Sequence, residues 1–209
     1  MAFEVKDGRV GEPRKGRIGV LIEDHFDLTE FLKFNTFFPA KGYQVEYVSH
    51  LWKQPALHFS ANPENGQISA HVTVTVEVND RRPPDYKGII CIGAYASDRL
   101  RYQEHPIKGQ PNQAPAVIFV RNAMKTSGLK VGTICHSLWL LCADPTLLAG
   151  RRVTCAHNII CDVENAGADV VFDGNQTADL VIDGDLITAK HPEVTDRFMS
   201  TFVEEIEKA

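Results

Sequence analysis

The sequence predicts a single α/β domain, a three-layer α/β/α sandwich in which a mostly parallel sheet is covered by helices on both faces. Three observations predict it. Apolar runs alternate along the chain with stretches of helical spacing. The runs over residues 86–93 (YKGIICIG) and 131–135 (VGTIC) are apolar throughout, as in strands buried on both faces. A length of 209 residues, 44% hydrophobic and 23% charged, suits one core better than two.

Taken in order, residues 1–16 are polar and glycine-containing and read as a flexible arm before a single domain over 17–209. Residues 17–22 (RIGVLI) are a short apolar strand. Residues 27–40 have helical spacing, with Leu28, Phe31, Leu32 and Phe38 on one side and Gly42 as the stop. A strand follows at 44–48. The sequence NPENG (62–66) supplies a turn before an alternating, half-exposed strand with Val72, Val74, Val76 and Val78 on one face. After the strand at 86–93 come a helix at 114–127, the strand at 131–135 and, with no turn residue between, a helix at 136–148 closed by Gly150. Strands are predicted at 152–155, 170–172, 180–182 and 186–188, helices at 158–166 and 193–208. The stretch VIDGDL (181–186) reads as an Asp-Gly hairpin.

Composition excludes several classes of function. The formal net charge is -5, and no basic stripe is present to hold a phosphate backbone, so nucleic acid is excluded as a partner. Residues 1–16 contain no apolar signal core and no run approaches a membrane span, which predicts a cytoplasmic protein with no membrane partner. Five cysteines, an odd number in that setting, read as reduced thiols, four of them buried small hydrophobes.

In a parallel sheet the reactive groups lie at the carboxyl ends of the strands. That rule points to residues 23–27, to 93–98 and to Cys135. Cys135 ends a buried strand and starts a helix, so its thiol stands at a sharp turn, a nucleophile elbow. There a helix N-terminus is expected to lower its pKa, and free N–H groups can form an oxyanion hole. His136, beside it, is a candidate base or acid. His157 follows a strand end and can face substrate. Glu23, His25 and His157 are conceivable metal ligands, but their spacing is not that of a metal site, and neither metal nor cofactor is expected. The alternative reading of Cys135 is a buried strand-end thiol.

The segments TICHSLWLL (133–141), LLAGRRVT (147–154), DVENAGADVV (162–171) and DGDLITA (183–189) resemble the PfpI-type members of the ThiJ/PfpI superfamily. Upstream, GAYASDRLR (93–101) resembles its glycine-rich loop and FDLTE (26–30) its first acidic segment. The resemblance implies a flavodoxin-like fold similar to class I glutamine amidotransferases. It also implies that Cys135 is the nucleophile with His136 as partner, that Gly93 and the N–H groups of Ala94 and His136 form the oxyanion hole, and that Asp98 reaches the histidine of a neighbouring subunit in a homo-oligomer, dimer or hexamer. Asp27 is placed where the family's acid meets the thiol, although the family's usual residue is glutamate. Aspartate is used there by the isonitrile hydratases of the superfamily. Ala94 stands in place of a glycine, and Ser137, Leu138 and Trp139 replace a glycine-proline start, which implies a reshaped, confined pocket lined in part by Ser137 and Trp139.

These readings lead to a cysteine-dependent hydrolase or hydratase-like enzyme acting on a small electrophile: a 2-oxoaldehyde, a glycated adduct or an isonitrile. The alternatives are a redox sensor or stress-protective chaperone that uses oxidation of Cys135, a PfpI-type cysteine peptidase, and a silent scaffold.

Overall fold

The computed structural model describes residues 2–63 and 69–209. Its strands, in chain order, are β1 (Ala2–Val5), β2 (Arg9–Val10), β3 (Gly16–Leu21), β4 (Tyr43–Val48), β5 (Leu57–Ser60), β6 (Ser69–Val74), β7 (Gly88–Cys91), β8 (Lys130–Ile134), β9 (Arg152–Val153), β10 (Asp169–Val170), β11 (Phe172–Asp173), β12 (Gln176–Thr177), β13 (Leu180–Asp183) and β14 (Leu186–Ala189). The helices are α1 (Leu28–Ala40), α2 (Ala96–Leu100), α3 (Pro115–Ala123), α4 (Trp139–Cys142), α5 (Ile160–Asn165) and α6 (Thr195–Glu207).

The main sheet runs β13-β14-β8-β7-β3-β4-β2. Its five central strands are parallel, and the edge strands β13 and β2 are antiparallel to their neighbours. Buried β-branched and leucine side chains fill β3, β7 and β8 on both faces, which is what selects a central position for them. Two glycines set how closely α6 lies on this sheet. A Cβ on Gly88 would fall 2.6 Å from Phe202, and one on Gly132 would fall 2.7 Å from Phe198. Phe34 and Phe38 of α1 pack against the same two rings. The opposite face carries Ile89 and Tyr86, with Phe119 of α3 edge-on to Tyr86. The three-layer α/β/α arrangement with a mainly parallel sheet is therefore the fold that the alternation of apolar runs predicts.

The structure differs from the sequence reading in three places. The stretch 1–16, expected as a flexible arm, carries β1, which pairs with β6, and β2, which pairs with β4. Arg9 is drawn in by the buried carboxylate of Glu46, whose Oε1 accepts from Arg9 Nε at 3.0 Å. The strand with alternating valines ends at Val74; Val76 and Val78 stay buried in a loop that enters a 3-10 turn. The turn expected at 62–66 lies in part outside the described residues. The long helix expected at 136–148 is broken into a 3-10 turn at Cys135–Leu138, the short α4 and a second 3-10 turn at Pro145–Leu147. Asp144 caps that last turn through the N–H of Thr146, and Pro145 cannot continue a helix.

The DG hairpin is present: Asp183 pairs with Leu186, and Gly184 takes a φ of 65°. Of the cysteines, Cys91, Cys135 and Cys155 are buried, Cys142 is half-buried and Cys161 is exposed, so the expectation of four buried bystanders is corrected at Cys161. Among the described residues, no helix is long and apolar enough to cross a membrane.

Candidate active site

Three loops leave the carboxyl ends of the central strands, and each contains a residue other than glycine in the left-handed region. These are His25 after β3 (φ 62°), Ala94 after β7 (φ 58°) and Cys135 after β8 (φ 59°). Each costs about 1–2 kcal/mol relative to a right-handed conformation, and clustered strain of this kind marks a functional edge. The loops are laced together. The N–H of Asp27 donates to Gly93 O at 3.3 Å, that of Tyr95 to His25 O at 3.1 Å, and that of Ala156 to Cys135 O at 3.3 Å.

The elbow at Cys135 is held by a two-way clamp. The N–H of Ile134 donates to Ser137 Oγ at 2.8 Å, and the Ser137 hydroxyl donates back to Ile134 O at 2.8 Å. Ser137 is thus fully buried and spent on the backbone, and it does not line the cavity in front of the thiol. Cys135 is 8% exposed, and that small exposure opens into a cavity of about 340 Å³ whose wall includes Asp27, Ala94, Tyr95, His136, His157 and His191. The N–H groups of His136 and Ala94 favour the anionic form of the sulfur. Tyr95 stands edge-on to the His136 ring at 6.0 Å.

The carboxyl behind the thiol belongs to Glu30. It sits in the first turn of α1, is completely buried, and accepts from the N–H of Gly93 through Oε2 at 2.7 Å. Its Oε1 is buried with no hydrogen-bond partner among the described residues. A Cβ on Gly93 would lie 2.5 Å from that oxygen and 3.0 Å from Cys135 Cβ, so Glu30 and Cys135 face each other across a gap only a glycine leaves open. Asp27, three residues earlier, does different work. It is the N-cap of α1, with Oδ1 accepting from the N–H of Glu30 at 2.9 Å, and it also borders the cavity. The sequence signal for Glu30 was the D-x-x-E spacing of a helix start, which reads as a capping box; here the glutamate turns to the next strand end and not back to its own cap.

Electrostatics follow from this burial. Desolvation, and then the charge of Asp27, push the Glu30 carboxyl well above its ordinary range, which favours its protonated form. Burial and the two carboxylates push the Cys135 thiol up as well, against the N–H groups of His136 and Ala94, which pull it down. The lowered thiol pKa expected from a helix N-terminus is corrected, because the helix there is a 3-10 turn and the sulfur is buried. Protonation of Glu30 would remove the larger of the two repulsions on the thiolate. Burial pushes the other buried or half-buried thiols up as well, Cys91 and Cys155 to about 12 and Cys142 to about 11, and Cys135 is set apart from them by its place at the strand-end cavity.

Other residues expected at the site lie elsewhere or at its rim. His157 is exposed and borders the Cys135 cavity. Asp98 is exposed on α2 and lines a different cavity, with Trp139. Trp139 is therefore not a wall of the thiol's pocket. His191, which the sequence reading passed over, borders the cavity from the end of β14. Glu23 borders Asp98's cavity and not the one that His157 lines, so these two metal candidates are separated. No cluster of three histidine, cysteine or carboxylate side chains suited to a metal occurs among the described residues.

Residues 16–205 match the DJ-1/PfpI family. The chain belongs to the DJ-1/PfpI family. It is 27% identical over 192 residues to an uncharacterized protein of Staphylococcus epidermidis, spanning 91% of this chain and 98% of that one. It is 29% identical over 142 residues to an uncharacterized protein of Staphylococcus aureus, spanning 68% and 74%. Among solved structures, it resembles a two-domain protein of Anabaena variabilis with DJ-1/ThiJ/PfpI-like and ferritin-like domains, at a TM-score of 0.75 and 23% identity. That match spans 92% of this chain and 48% of the two-domain protein. It resembles Drosophila melanogaster DJ-1beta at a TM-score of 0.70 and 13% identity, over 92% and 94% of the two chains. These structural likenesses establish the flavodoxin-like DJ-1/PfpI fold.

Proposed function

We propose that this DJ-1/PfpI protein is a cysteine-dependent hydrolase or hydratase-like enzyme that acts on a small electrophile through Cys135. The observation that carries the reading is the thiol itself: left-handed at a clamped elbow that opens into a cavity, with the buried carboxyl of Glu30 behind it and backbone N–H groups of His136 and Ala94 that favour its anion. A cavity of about 340 Å³ in front of it supports a compact substrate such as a 2-oxoaldehyde over a polypeptide.

In this reading the Cys135 proton passes to an imidazole nitrogen of His136 or His157, both on the cavity wall. The sulfur then bonds to the electrophilic carbon, and the π pair of the carbonyl moves to its oxygen. The N–H groups of Ala94 and His136 that favour the thiolate can also hold the oxyanion one bond further out. Glu30 acts as a positioning acid, its O–H stabilising the sulfur anion it faces. The reading requires no residue from a second subunit, because a carboxyl is already supplied within the chain.

Methylglyoxal and an alkyl isonitrile, each incubated with wild type and with Cys135→Ala, test it by following loss of substrate. Consumption of one of them by wild type only is the expected result. If neither is consumed while peroxide oxidises Cys135 stoichiometrically, the protein is a redox sensor and not an enzyme.

A further inference from the structure

A second cavity, of about 820 Å³, shares no lining residue with the one at Cys135. The chain has two tryptophans, Trp52 and Trp139, and both line it. Tyr102, 61% exposed, stands 5.6 Å from Trp52, edge to face. Trp52 is held there at a cost. It and Lys53 occupy the two central positions of a turn closed by the N–H of Gln54 on Leu51 O at 2.8 Å, and both are left-handed, with φ of 52° and 65°. Such a turn favours Asn-Gly, and a bulky ring at a positive φ is an outlier. Outliers of this kind point to function when the surroundings use the side chain they present.

The polar feature of the cavity is Arg101. Its guanidinium lies over the Trp139 ring at 4.4 Å, and its Nη1 is buried with no hydrogen-bond partner among the described residues. A buried guanidinium N–H lacks an acceptor only at a real energetic cost. The carboxylates on the same wall, Asp98 and Glu104, leave it unpaired. The neighbouring Arg99 acts on Glu23, whose carboxyl it pulls down against the effect of burial. Arg101 is therefore a cation with an unsatisfied donor, set against the Trp139 ring, while the nearby carboxylates oppose a multiply charged anion.

We propose that this cavity is a second ligand site, for a planar aromatic monocarboxylate whose ring lies among Trp52, Tyr102 and Trp139 and whose carboxylate accepts from Arg101 Nη1. The site is independent of the chemistry at Cys135.

Calorimetric titration of the full chain with 2-naphthoate and with its neutral amide, 2-naphthamide, tests the proposal. The expected result is one site per chain with about tenfold preference for the acid, the worth of one charge-assisted hydrogen bond. Arg101→Met removes that preference while the amide still binds, and Arg101→Lys keeps part of it. Alkylation of Cys135 with iodoacetamide leaves both affinities unchanged. No binding, equal binding of acid and amide, or loss of binding on alkylation overturns the proposal. So does protection of both tryptophans from iodide quenching as protein concentration rises without ligand, which would give this face to a second copy of the chain.

Discussion

The two cavities share no lining residue and are built in opposite ways. At Cys135 the polar groups are backbone N–H groups and a buried carboxyl, fixed by strand ends and by left-handed residues that β3, β7 and β8 impose. At Trp52 and Trp139 the walls are side chains, half-exposed, with a guanidinium and carboxylates on them. The first arrangement tolerates almost no displacement, as chemistry at a sulfur requires. The second offers a broad surface suited to recognition. The contrast predicts that substitutions at the thiol's cavity act through single atoms.

The largest effect is expected at the nucleophile. Cys135→Ser should lower turnover of the accepted substrate by at least about a thousandfold with an unchanged fold, read from initial rates alongside circular dichroism. Gly93→Ala comes next: its Cβ would press on Glu30 Oε1 and Cys135 Cβ. A stability loss of about 1–3 kcal/mol by urea unfolding is expected from such overpacking, together with lost activity. Wild-type stability with Ala at this position would mean that the carboxyl and the thiol are not confined as described.

Glu30→Gln sharpens the electrostatic half of the contrast. The folded-state pKa of Glu30 is raised above its unfolded value. Its contribution is therefore complete below the ordinary carboxyl pKa and declines as pH rises toward the folded pKa, by about 1.4 kcal/mol per pH unit. Gln cannot ionise, so the variant should lack that decline, and unfolding curves between pH 5 and pH 8 should diverge in its favour as pH rises. Parallel curves would deny the buried acid. Asp27→Ala should cost about 1 kcal/mol, the usual worth of an N-cap, seen as a lowered thermal midpoint. The smallest effect is at Ala94→Gly, where relief of the left-handed strain outweighs the added chain entropy by about 0.5 kcal/mol.

Several of these positions could be read without a structure. Residues 131–135 announce a buried strand by being apolar throughout, and a thiol at its end followed by histidine marks an elbow. The glycine-rich loop at 93 was legible as a strand-end loop. Glu30 was not, because a carboxylate three residues after an N-cap aspartate has an ordinary local explanation. Only the approach of Gly93 and Cys135, 63 and 105 positions further along, makes it a buried acid. Ser137 was misplaced for the same reason: its hydroxyl lies near the thiol in sequence, yet the tight turn folds it back on Ile134.

The alternation of the main strands and helices, the parallel core and Cys135 at a strand end were legible in the sequence, because apolar periodicity acts over a few residues at a time, whereas the strands of residues 1–16 and the break after Cys135 were not. The tertiary structure alone decided which carboxyl stands behind the thiol, which way the thiol's pKa moves, and that Trp52, separated from Trp139 by 87 positions, shares a cavity with it. Those depend on burial and on contacts between strand ends and loops far apart in the chain, and no local pattern encodes the distance between such groups.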